Sequence, residues 1–187
     1  INLDAAFSPS GAPLFDKLYI FGMTTSEVIA TVSGQKGHKI TPASNTKGSD
    51  AITPCYVYVK NGNQYDLQQT IPNMNVANKP IADISGATSV YLTGYCPYAS
   101  TGYTKKDEGI FFFQGGAGDH VHVYLQDCYL YSRAKTENGH FFESRSDGYS
   151  FTEDYVQGSG GVLVFECSDD ANTKSFYVTI HIRDNSL

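Results

Sequence analysis

Two strand-like segments recur in the same order along this chain, and that recurrence limits the fold more than any other feature. Gly109-Ile110-Phe111-Phe112-Phe113-Gln114 matches Gly161-Val162-Leu163-Val164-Phe165-Glu166 in residue type at every position, at an offset of 52. The segment Val121 to Leu130 matches Val178 to Leu187 at an offset of 57. The offset grows because the link between the strands is six residues long in the first copy and eleven in the second. Structural repeats keep strand order and confine length changes to connections. Fainter copies of the second strand are Val90-Tyr91-Leu92-Thr93-Gly94-Tyr95 and Leu18-Tyr19-Ile20-Phe21-Gly22. Their shared form (apolar, x, apolar, x, then Asp or Gly) sets Leu18 and Ile20 level with Val90 and Leu92. Each copy alternates with period two, giving one apolar and one polar or aromatic face. The segment Gly109–Gln114 is apolar on both faces and needs cover on both sides.

The 14 Tyr and 11 Phe, 18 Gly and only 17% charged residues favour strands and turns over helices. A net charge of −6 argues against nucleic acid or an anionic membrane as partner. No apolar run approaches the roughly 20 residues of a membrane span. Ile1 stands where an initiator Met would, which points to a longer precursor. Cys55, Cys96, Cys128 and Cys167 form no CxxC, so the usual zinc and thioredoxin patterns are absent. Two disulfides and four buried thiols both remain open.

Residues 1–75 read as a β-rich N-terminal segment or cap, and 76–187 as the repeat region. Cys55–Lys60 followed by Asn61–Leu67 reads as a hairpin turning at Asn61-Gly62. Ser26–Val32 is the one short helix expected. Ser8–Pro13 is a loop, Gly34–Asp50 a polar stretch and Asn73–Pro80 a connector. Residues 133–160 form a polar insertion, expected to leave the repeats as a loop.

Strands ending in Asp-Cys or Asp-Asn before an apolar residue, recurring with variable links, resemble the coils of right-handed parallel β-helices. The resemblance covers about residues 81–187, and such coils usually run shorter than this repeat. The chain also resembles secreted surface proteins of Bacteroidetes, many of them without an assigned function. The fold expected is all-β, parallel β-helix-like coils under a β-rich cap, with an antiparallel β-sandwich as the rival. A coil stack needs a closed end. The final coil, Val162–Phe165 with Val178–Leu187, is therefore expected to pack on another copy or on a missing part of the protein.

If the copies stack, Val90/Val123/Ile180 and Leu92/Leu125/Ile182 form inner ladders, with matching residues about 4.8 Å apart. The outer face then carries Tyr91/Tyr124/His181 and Thr93/Gln126/Arg183. Aromatic rings pack on sugar C–H faces, and amide and guanidinium groups bind hydroxyls or carboxylates. Tyr91, Tyr124, Gln126, His181 and Arg183 are thus candidate ligand-binding residues, against the plainer alternative of an ordinary solvated sheet.

Asp127 and Asp184 would stack near the spacing of retaining glycosidase carboxylates, but they point the same way and sit at strand ends. Glu143, Asp147, Glu153 and Asp154 match no calcium loop. His120 and His122 share a strand face without a third ligand at diagnostic spacing. Gly115-Gly116-Ala117-Gly118 lacks the Lys-Ser/Thr and helix of a phosphate loop and reads as a strand link. No catalytic residues, metal or cofactor are assigned. The function expected is a non-catalytic secreted or cell-surface binding or adhesion module, with glycan as ligand. The alternatives are a β-helix polysaccharide lyase or glycoside hydrolase, by analogy of fold, and a structural spacer of a surface assembly.

Overall fold

The computed structural model describes residues 3–22, 25–35, 37–43, 54–71, 81–96, 111–130, 142–146, 149–151, 163–167 and 176–182. These are mostly β-strand with one α-helix. In chain order the elements are β1 (Lys17–Phe21), α1 (Thr25–Ser33), β2 (Lys39–Ile40), β3 (Cys55–Asn61), β4 (Gln64–Ile71), β5 (Ile81–Asp83) and β6 (Ser89–Cys96). They continue with β7 (Phe111–Gly115), β8 (His120–Leu130), β9 (Phe142–Ser146), β10 (Tyr149–Phe151), β11 (Leu163–Cys167) and β12 (Tyr177–Ile182). Seven strands form one mixed sheet in the order β12-β8-β6-β1-β3-β4-β2, and five form a second in the order β10-β9-β11-β7-β5.

Both internal repeats appear as strand pairs in the register that sequence alignment gives. Parallel pairing sets Phe113 beside Phe165 and Gln114 beside Glu166 in the smaller sheet. In the larger sheet Val123 lies beside Ile180 and Leu125 beside Ile182, with Val90 and Leu92 as the next rung. The strand pairs β5–β6, β7–β8 and β11–β12 each begin in the smaller sheet and end in the larger one, and their neighbours run parallel. The turns within β5–β6 and β7–β8 also match. Ile84–Ala87 and Gly116–Asp119 each close an i to i+3 hydrogen bond, with Gly86 and Gly118 at positive φ in the third position. Asp119 accepts from the N–H of Gly86 at 2.8 Å and of Gly116 at 2.9 Å, tying the two turns together.

The fourth copy falls one residue away from expectation. Leu18 pairs with Tyr91, and Tyr19 with Leu92. A one-residue shift exchanges the faces of a strand. Tyr19 and Phe21 therefore join Val90, Leu92, Val121, Val123 and Leu125 in the core between the sheets, where Tyr19 meets Phe113 edge-on at 5.4 Å. Leu18 and Ile20 turn to the opposite face, under Val28 and Val32 of α1. The strands β1 to β4 thus extend the larger sheet through the parallel pair β1–β6.

Two further expectations change. The hairpin turn lies at Gly62-Asn63, because β3 runs on through Asn61. The insertion 133–160 is not a loop throughout. Phe142–Ser146 pairs parallel to β11 and Tyr149–Phe151 pairs antiparallel to Phe142–Ser146, so this part of it continues the smaller sheet. Cys55 and Cys128 are thiols in the inter-sheet core, while Cys96 and Cys167 lie in β6 and β11. No helix among the described residues is long and apolar enough to cross a membrane.

Candidate functional site

Period two places His120, His122, Tyr124 and Gln126 on one face of β8. The parallel register sets Tyr177 beside His120, Thr179 beside His122 and His181 beside Tyr124. This is the face of the larger sheet turned away from the inter-sheet core, since Val121, Val123 and Leu125 occupy the other side. Its β6 margin is closed. Phe15 stacks on Tyr91 at 5.0 Å and touches Tyr124 at 5.1 Å. Toward β12 it opens, and Tyr177 is 58% exposed.

Within the strip the rings run in sequence. His120 stacks on His122 at 4.7 Å, His122 on His181 at 5.3 Å, and His181 lies flat on Tyr124 at 4.2 Å and 7°. Tyr177 tilts against His120 at 6.1 Å. Nδ1 of His122 and Nε2 of His181 share a hydrogen bond of 3.0 Å, and Nε2 of His120 is 2.8 Å from Oγ1 of Thr179. The two pairs place imidazoles, phenols and a hydroxyl along one surface two strands wide.

The structure brings together Tyr124, Gln126 and His181 from the sequence candidates and removes Tyr91. That residue is fully buried beneath Phe15, because the N-terminal segment folds over the β6 end of the face. Arg183, Asp184, Asp147, Glu153 and Asp154 lie outside the described residues. Asp127 and Glu143 lie in β8 and β9. His120 and His122 do share a face, as their spacing requires. Their third partner, His181, comes from the next strand across a diagonal, so chain spacing alone could not reveal it. The repeat alignment carried the signal, since it set His181 level with Tyr124. Tyr177 lies one residue ahead of the segment that aligns with β8, and Thr179 one rung ahead of His181, so neither aligns with Tyr91 or Thr93. Among the described residues no group of three His, Cys, Asp or Glu is placed to hold a metal ion.

Comparison with protein-family models, with curated proteins and with solved structures finds no match.

Proposed function

We propose that the chain is a non-catalytic binding or adhesion module, secreted or at a cell surface, whose β8–β12 face takes glycans. One observation carries this reading: Tyr177, Tyr124 and three imidazoles line a flat strip beside the side chains of Thr179 and Gln126. Flat aromatic surfaces favour the C–H faces of sugar rings, and neighbouring hydroxyl, amide and imidazole groups hydrogen-bond sugar hydroxyls. The scaffold we propose is a stack of parallel β-helix coils. Its support is the repeated order of β5–β6, β7–β8 and β11–β12 and the matching turns of the first two pairs.

A glycan array probed with the whole chain and with Tyr177→Ala tests the function. Tyr177 is the informative position because its ring is mostly exposed, so its loss leaves the core intact. Binding that weakens in the variant supports the reading; a chain that binds no glycan overturns it.

A further inference from the structure

The two imidazoles of His122 and His181 meet nitrogen to nitrogen at 3.0 Å, and this contact has a chemical consequence. A hydrogen bond between two imidazoles needs one donor and one acceptor nitrogen, so one ring at least must be neutral at that contact. An imidazolium has two donors and no acceptor. When both rings are protonated the shared bond is lost, and two N–H groups on adjacent strands are left side by side with like charges. A group that accepts from both N–H donors and offsets part of their charge is an acceptor-only anion with two oxygens. A carboxylate is such a group, and charge-assisted bonds to it are the strong kind.

We infer that the His122–His181 pair is a proton-gated carboxylate site, through which the β8–β12 face takes acidic sugars. The sugar part of the ligand rests on the glycan reading above. The surroundings favour this role. His120 stacks on His122 and adds a third imidazole. Tyr124 lies flat on His181, and Tyr177 tilts against His120. Two carboxylates belong to neighbouring segments, and both are engaged by backbone N–H groups. Asp16, ahead of β1, accepts from Thr88 and Ser89 at the head of β6. Asp119, ahead of β8, accepts from Gly86 and Gly116. At neutral pH the chain's net charge of −6 repels an acidic glycan. Protons taken up by the strip reverse that sign locally. Ligand binding and proton uptake are then linked, each favouring the other.

The test is an array of uronic-acid, sialic-acid and neutral glycans read at pH 7.5 and pH 5.0 with the whole chain, His122→Gln, His181→Gln, His120→Gln and Tyr177→Ala. The expected result is acidic-glycan affinity about tenfold or more higher at pH 5.0, from charge-assisted bonds formed only there. His122→Gln and His181→Gln lose that gain, and His120→Gln, which removes the third imidazole of the strip but leaves the pair intact, loses only part of it. Should His122→Gln fail to fold, His181→Gln, on the end strand of the sheet, carries the test. Acidic-glycan binding that ignores pH, or no acidic glycan bound at pH 5.0, overturns the inference. Neutral glycans bound through Tyr177 would then leave the glycan reading standing. A pH-gated acidic signal that survives Tyr177→Ala would instead keep the anion site and remove the aromatic platform.

Discussion

Gly94 lies so close to Phe21 that a Cβ added to it would overlap the Phe21 carbonyl oxygen, and its φ is +108°. The contact joins β6 to β1, the strand pair through which the N-terminal residues enter the larger sheet. It lies next to the point where the β6–β8 register shifts, between Leu92 and Gly94. The shift lets Cys128 face the same core as Val121, Val123 and Leu125, although strict alternation would turn it outward.

Gly94→Ala combines a clash against backbone with a strained φ, and a loss of about 3 kcal/mol in unfolding free energy is expected. Gly118 is the control. Its φ is +82°, but nothing lies within 4 Å of an added Cβ. Gly118→Ala should cost about 1 kcal/mol from φ alone. Urea unfolding of both variants checks the difference, and equal losses would show that the close approach at Phe21 does not govern stability.

Two buried tyrosines should respond oppositely to loss of the hydroxyl. The Tyr65 hydroxyl donates to the carbonyl of Ala6 at 2.9 Å and accepts from the N–H of Phe15 at 3.0 Å, pinning the N-terminal segment to β4. Burial outweighs the bonds it receives and pushes its pKa up to about 12. Tyr65→Phe strands both backbone groups and should cost about 1–3 kcal/mol. The hydroxyl of Tyr58 has no hydrogen-bond partner among the described residues. Tyr58→Phe removes a polar atom without breaking a bond, so thermal melting should show an unchanged or higher midpoint.

The inner ladder should weaken toward β12. Leu125 is fully buried and Ile182 is 46% exposed, although the two are register partners. Leu125→Ala should cost about 2–5 kcal/mol. Ile182→Ala, with less area to lose, should cost about 1 kcal/mol, and Gln126→Ala on the other face about 0.5 kcal/mol or less. Denaturant titration of the three variants ranks them; equal costs at 125 and 126 would reject the alternation of β8.

The sequence disclosed most where two copies of a strand could be compared. Phe113 with Phe165 and Val123 with Ile180 are register partners because identical patterns stack in phase. Comparison failed at Leu18, where both faces of β1 are apolar and a shift of one residue leaves the pattern looking unchanged. There the choice falls to Gly94, which admits the Phe21 backbone, and to α1, which covers Leu18 and Ile20. The site was half legible. His181 was placed on the outer face by alignment, but its hydrogen bond to His122 depends on side-chain reach across a diagonal. Tyr91 looked equivalent to Tyr124 until Phe15, far away in the chain, folded over it. Such long-range cover leaves no periodic trace.

Asp16 ties the segment ahead of β1 to the head of β6, and this tie should give the fold an acid-labile component. Its carboxylate accepts from Thr88 N at 2.7 Å, Thr88 Oγ1 at 2.9 Å and Ser89 N at 3.3 Å. Burial alone would raise its pKa, but these bonds and the Lys60 charge outweigh it and hold the carboxyl below its usual range. A group with a lowered folded pKa stabilises fully above its unfolded value, near 4, and loses that contribution as pH falls through the folded one. Asp66 and Asp83 are lowered as well, through Asn61 and Ser85 first, so the whole chain should lose stability in acid. The share due to Asp16 is isolated by comparison with Asp16→Asn, which keeps an acceptor oxygen and removes the charge. At pH 7 the variant should be less stable by about 1 kcal/mol, the size of one charge-assisted bond traded for a neutral one. Below pH 4 the two stability curves should converge, because the wild-type carboxyl is then being protonated too. Urea unfolding followed from pH 7 to pH 3 gives both curves. A gap that stays constant across that range would mean that the charge on Asp16 contributes nothing, and that Thr88 and Ser89 are held by geometry alone.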